Sequence, residues 1–199
     1  MRMLALLLCA LGAAGGCGGE VRSRGPFDGE AALAYARVFM EFGPRVPGSE
    51  AHLRAGDWIA AEMRKRADTV IEQRWVHVTR GGDSLPLRNV LARFRPQARE
   101  RILYVAHWDS RPRAENARDP AQRSLPTPGA NDGASGVGLL IALADLLRSQ
   151  PVPYGVDLLF VDGEDYGEFG PPEVDVLLGS TYFAANPPEP DYAPLFGVV

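Results

Sequence analysis

Residues 155–165 read GVDLLFVDGED. The first seven are apolar except for Asp157, the length and character of a strand buried on both faces, and such strands occur in sheets covered by helices. Before them, GVGLLIALADLLRSQ (136–150) reads as an apolar helix, and RILYVAH (101–107) as another short buried strand. Strand, helix and strand in that order imply an α/β domain with a largely parallel sheet covered on both faces. Further out, TVIEQRWVHV (69–78) and LRNVLARF (87–94) are β-rich runs joined by TRGGDSLP (79–86), the pattern of a hairpin. Asp28 is placed to cap a helix through GEAALAYARVFMEF, which Gly43-Pro44 ends. Ser49 is placed to cap a second, with Leu53, Trp58, Ile59 and Met63 as its apolar stripe and His52 as a surface or capping residue of its first turn. His77 alternates with Trp75 and reads as a strand-face residue. LLGSTYFAAN (177–186) reads as a helix, and PLFGVV (194–199) as the start of a strand whose interior the chain end interrupts, so a fragment is expected.

With 199 residues, 46% of them hydrophobic and 23% charged, the chain suits one globular domain with a sizeable core. The net charge of −4 and the scattered arginines exclude a basic nucleic-acid surface. Lys65 is the single lysine; Arg64 and Arg66 fall in one helix, and Arg93, Arg95, Arg99 and Arg101 around a turn, read as solvated faces and edges.

Residues 1–17, MRMLALLLCALGAAGGC, have signal-peptide dimensions and are too short in their apolar stretch to span a bilayer. Cys17 after Ala14-Gly15-Gly16 resembles a bacterial lipobox, with Ala14 where leucine is usual. The expectation is an exported protein of the periplasm or cell envelope, lipid-anchored through Cys17. A spacer (18–27) and one catalytic domain (28–199) would follow. The domain then has no cysteine, hence no disulfide and no thiolate metal ligand.

Open α/β sheets bind ligands beyond the carboxyl ends of their strands. Three polar clusters fall there. In AHWDS, His107 and Asp109 are two residues apart and point the same way in extended backbone, so Asp109 can hold the imidazole in one tautomer. In PGANDGASG, Asp132 occupies a glycine-rich turn just before a helix N-terminus. Glu164 and Asp165 sit at the tip of the 155–161 strand, within a run that also holds Asp162 and Glu168. Crowded carboxylates repel unless water or a cation intervenes. One imidazole with two or three carboxylates and no cysteine suits an open Zn²⁺ site. Nucleophile-elbow, phosphate-loop and dinucleotide fingerprints are absent.

The ordered set AHWDSRP, PGANDGASGVGLLIALADLL, LLFVDGEDYGEFG and LLGSTYFA resembles the zinc-dependent aminopeptidase and glutaminyl cyclase superfamily from about Arg45 onward. That resemblance implies a three-layer sandwich, a mostly parallel central mixed sheet flanked by helices. It implies His107, Asp132 and Asp165 as metal ligands, with Asp109 behind His107 and Glu164 as general base. Aspartate at 165 departs from the family's usual glutamate. RVPGSEAHLRAGDWI and the long link between Asp165 and Gly179 resemble the cyclase branch, which uses one zinc; the aminopeptidases use two. The family also has a further acidic residue after the last strand and a distal histidine, which this sequence does not contain. The implied substrate is a peptide or protein N-terminus. The expected activity is cyclisation of N-terminal glutamine to pyroglutamate with release of ammonia. The alternatives are aminopeptidase hydrolysis and a non-catalytic exported domain on a degenerate peptidase fold.

Overall fold

The computed structural model describes residues 26–199. The signal-like segment, Cys17 and nearly all of the spacer lie outside the described residues. Helix α1 (Gly29–Met40) starts where the Asp28 carboxylate accepts the Ala31 N–H, and stops before Gly43, whose φ of 81° takes the chain out of the helix. In α2 (Glu50–Arg64) the Ser49 side chain accepts the His52 N–H. Its buried stripe is His52, Ala55, Gly56, Ile59, Ala60 and Met63; Leu53 is 44% exposed and lies off the expected face.

Strands β1 (Thr69–Val78) and β2 (Ser84–Phe94) form the expected antiparallel hairpin. After β3 (Arg101–His107), helix α3 (Gly136–Ser149) crosses over to β4 (Gly155–Val161), and α4 (Leu178–Ala185) precedes β5 (Phe196–Val198). The sheet order is β1-β2-β4-β3-β5. The β1/β2 and β2/β4 pairings are antiparallel, while β3/β4 and β3/β5 are parallel, so the sheet is mixed.

Helices cover both faces, as the sequence led us to expect. Helices α1, α2 and α3 pack on Val90, Ala92, Phe94, Val156, Leu158 and Phe160. The alternate residues Leu91, Leu159 and Val161 face Phe183 of α4 and Tyr192. Asp157 falls on this second face, fully buried, and Arg93 and Arg101 converge on it. These two arginines are therefore buried rather than solvated. Period-two alternation turns Asp157 inward, and a carboxylate there demands cationic partners. The parallel β3/β4 register sets His107 opposite Val161, so both strands deliver their C-terminal residues to one edge of the sheet.

Candidate metal centre

His107 is the last residue of β3, and the Trp108 N–H extends the pairing by donating to the Val161 carbonyl (3.1 Å). The chain then buries Asp109 completely. Its two carboxylate oxygens accept the backbone N–H groups of Glu164 (3.0 Å) and Asp165 (3.1 Å). Asp109 thus holds the turn that presents both acids after β4. The expected tie to His107 is looser. Nδ1 stands 3.4 Å from Asp109 Oδ1, within ion-pair range, but makes no hydrogen bond.

Asp132 reaches the same edge from an irregular turn, Ala130–Ser135, that leads into α3. Its own backbone is extended, and Gly133 beyond it has φ of 89°. A Cβ at Gly133 would lie 2.9 Å from the Asp109 carbonyl oxygen and 3.3 Å from His107 Cε1, so only glycine lets this turn press on the end of β3. As a result His107 Nε2 and Asp132 Oδ1 are 2.7 Å apart.

Ligand-type atoms of His107, Asp132 and Asp165 all lie within 4.8 Å of one another. The shorter Asp165 side chain reaches the cluster from a buried position, 8% exposed. Burial, and then the neighbouring Asp132 carboxylate, raise the Asp165 carboxyl above its usual range. Burial also raises that of Glu164, against the opposing pull of His107. Burial alone would lower the His107 imidazole, but Asp109, Glu164 and Asp165 outweigh it and push it up to about 9. Acids pushed up and a base pushed up are the response of an anionic cluster that a cation stabilises. The donor set, imidazole nitrogen with carboxylate oxygens, fits zinc. Glu164 lines a cavity of about 270 Å³ together with His107, Asp132 and apolar residues such as Ala106 and Leu140.

Other residues around the centre depart from expectation. His52 is buried, 1% exposed, with its ring stacked on Trp108 at 4.4 Å between centroids. Its Nδ1 accepts the Gly48 N–H, so Nε2 carries the proton shared with the Asp162 oxygens at 2.8 and 3.0 Å. Asp162, without a role in the sequence reading, is the buried acceptor of that bond and of the Arg88 N–H. The first turn of α2 faces the sheet here, which turns a nominal surface histidine into a buried one. His77, on its strand face, meets Asp175 at 2.7 Å, and Asp175 also accepts the Arg80 N–H. The long link after Asp165 is thereby pinned to the hairpin. Its own ends pair through Glu168 and Val174 main-chain bonds, with Glu168 itself exposed. Arg111, unremarked in the sequence, donates to the carbonyls of Asp165 and Gly167.

Comparison with known proteins agrees with this geometry. A Zn-dependent exopeptidase from Parabacteroides distasonis superposes with a TM-score of 0.81 at 35% identity, over 88% of this chain and 61% of that one. A glutaminyl cyclase from Bacteroides thetaiotaomicron gives 0.81 at 36% identity, over 86% and 60%. Among curated relatives, the alkaline phosphatase isozyme conversion protein of Escherichia coli K12 is 26% identical over 160 residues, 75% of this chain. The chain spans 46% of that relative's length. The model of peptidase family M28 matches residues 89–196, which include His107, Asp109, Asp132, Glu164 and Asp165 of the candidate metal centre, and the chain belongs to that family.

Proposed function

We propose that this chain supplies the general base and carboxylate ligands of a zinc-dependent glutaminyl-peptide cyclotransferase, which converts N-terminal glutamine of peptides to pyroglutamate. The clustering of ligand atoms of His107, Asp132 and Asp165 within 4.8 Å, with Glu164 on the same cavity wall, carries the reading, and the likeness to glutaminyl cyclases favours the cyclase branch.

Zinc, when bound, supplies Lewis acidity at the substrate's side-chain amide carbonyl. The chain's own part is proton transfer. Glu164 takes a proton from the α-amine as its nitrogen forms the lactam bond to the amide carbon, and returns it to the amide nitrogen, which departs as ammonia. Ala106, Leu139 and Leu140 line the same cavity as Glu164 and give it an apolar wall. Export to the periplasm or cell envelope is proposed from residues 1–17 alone.

The second reading, a zinc aminopeptidase, is favoured by the presence of His107 within the same 4.8 Å cluster, a donor set that two ions could share. A glutaminyl and a leucyl aminoacyl reporter distinguish the two. The cyclase reading expects ammonia release from the glutaminyl reporter without free glutamine and one zinc per chain. Leucine release with two zinc ions per chain would replace it with the peptidase.

Asp109 supports either reading. Asp109→Asn leaves one carboxamide N–H₂ facing a backbone N–H that the carboxylate now accepts. The paired acids then lose one of their two anchors, and zinc affinity is expected to fall about 10–100-fold. Chelator competition reads this directly, and an unchanged dissociation constant would show that the turn holds itself.

A further inference from the structure

Arg45 is fully buried, yet its partners are unlike those of the other buried arginines. Arg88, Arg93 and Arg101 each meet at least one carboxylate. The Arg45 guanidinium donates instead to four main-chain carbonyls: Trp108 (3.2 Å), Gly43 (3.1 Å), Pro128 (2.9 Å) and Gly129 (2.8 Å). It also touches Met40 Sδ, and no carboxylate of the described residues lies in ion-pair range of it. Those carbonyls come from three separate segments. Trp108 lies between His107 and Asp109, and Gly129 is three residues before Asp132.

We infer that Arg45 is a positioning residue of the metal centre: its guanidinium fork sets the distance between the β3 end that carries His107 and the turn that carries Asp132. Several features converge on this role. The fork is planar and its five N–H groups are held in a fixed pattern, so it can bridge several acceptors where an ammonium cannot. Gly129 has φ of 65°, and a Cβ there would lie 2.6 Å from Arg45 Nη2, so the turn is shaped to admit the fork. The main chain of Arg45 is locked to the same strand end. Its N–H donates to Ser110 Oγ (2.8 Å) and its carbonyl accepts the Ser110 N–H (3.1 Å). Seven residues on, His52 braces the adjacent strand end through Trp108 and Asp162. Residues 45–52 thus form a brace behind both strands that deliver the site. A buried guanidinium without a counter-carboxylate is costly to keep, and Asp109 acts on it only from beyond ion-pair range.

The inference rests on the proposed zinc site, and the test separates the two. In the full chain, Arg45→Lys is expected to weaken zinc binding about 10–100-fold and to alter the visible absorption spectrum of the cobalt(II)-substituted site. Arg93→Lys, an equally buried arginine at the far end of the sheet, is the control. It is expected to lower the melting temperature and leave zinc affinity and the cobalt spectrum unchanged. Wild-type protein that holds no zinc overturns the metal-centre reading and this inference with it. Zinc-binding wild type together with Arg45→Lys of unchanged affinity and spectrum overturns the inference alone, as does an equal loss of zinc in Arg93→Lys. Should Arg45→Lys fail to fold, Gly129→Ala, which would set a Cβ 2.6 Å from Arg45 Nη2 and push the fork off the turn, takes its place. It is expected to weaken zinc about three- to tenfold, the effect of one hydrogen bond, and unchanged zinc binding in that variant also overturns the inference.

Discussion

Glu164→Gln is expected to lower turnover by about 10²–10⁴-fold while the protein still binds zinc. Glutamine keeps the size and one carbonyl acceptor of glutamate but cannot take up a proton. The backbone N–H of Glu164 stays anchored to Asp109 whatever the side chain. Glu164 also stands outside the three residues whose ligand atoms cluster within 4.8 Å, so the donor set survives the change. The wild-type pH profile should carry the same signature. Burial raises the Glu164 carboxyl above the ordinary glutamate range, with His107 opposing and Asp109, Asp165 and Asp132 adding to it. Bound zinc would offset part of that rise; the base form exists only above the value that remains, so activity should fall as pH drops through it. Steady-state kinetics on the glutaminyl reporter, with zinc content measured on the same samples, test this. Near-wild-type turnover in Glu164→Gln would refute the assignment of the base.

Asp157→Ala should have the largest effect on stability, a loss of about 3–5 kcal/mol, because it strips a buried charge network of its common partner. Asp157 is fully buried and accepts from Arg101 Nε (2.7 Å), Arg93 Nε (3.3 Å) and the Tyr192 hydroxyl (2.9 Å). Removing it leaves two guanidinium groups, each about 5% exposed, facing apolar side chains. Arg93 retains Glu189, while Arg101 is left with main-chain carbonyls only. Burial, and then Asp157, also hold the Tyr192 hydroxyl well above the ordinary tyrosine range, so the phenol stays a neutral donor in this network. In a chain of this size the melting temperature should fall by about 6–20 °C. Asp157 lies near the start of β4, away from the strand end that carries the acids, so zinc affinity should be retained. A change below about 1 kcal/mol, the worth of a single exposed ion pair, would show that the network is not what holds this face together.

How much of this was legible beforehand depends on the range of the interaction. Caps are local, and Asp28 and Ser49 behave as their positions in the sequence require. The hairpin and the β3-α3-β4 unit are set by hydrophobic period and connection length, and both form. His107, Asp132, Glu164 and Asp165 were visible because each follows an apolar element or opens the next one, which puts it at the ligand-binding edge. The departures share another cause. His52 and Asp162 are 110 residues apart, and Arg45 and Gly129 are 84 apart. No local pattern marks a polar residue that will be buried by a segment so distant. The arginines around the turn before β3 looked solvated because the acid that draws two of them inward lies on another strand.

The amino-acid sequence by itself determined the α/β class, the elements and the edge of the sheet where chemistry collects, because these follow from short-range period, capping and connection length. Tertiary structure alone decided which polar groups leave water. Asp109 became the anchor of the paired acids, His52 a buried brace, Arg45 a fork joining three segments and Asp157 the centre of a charged core. The physical reason is that the penalty for burying a polar group depends on its final partners, and those partners meet only when the sheet assembles.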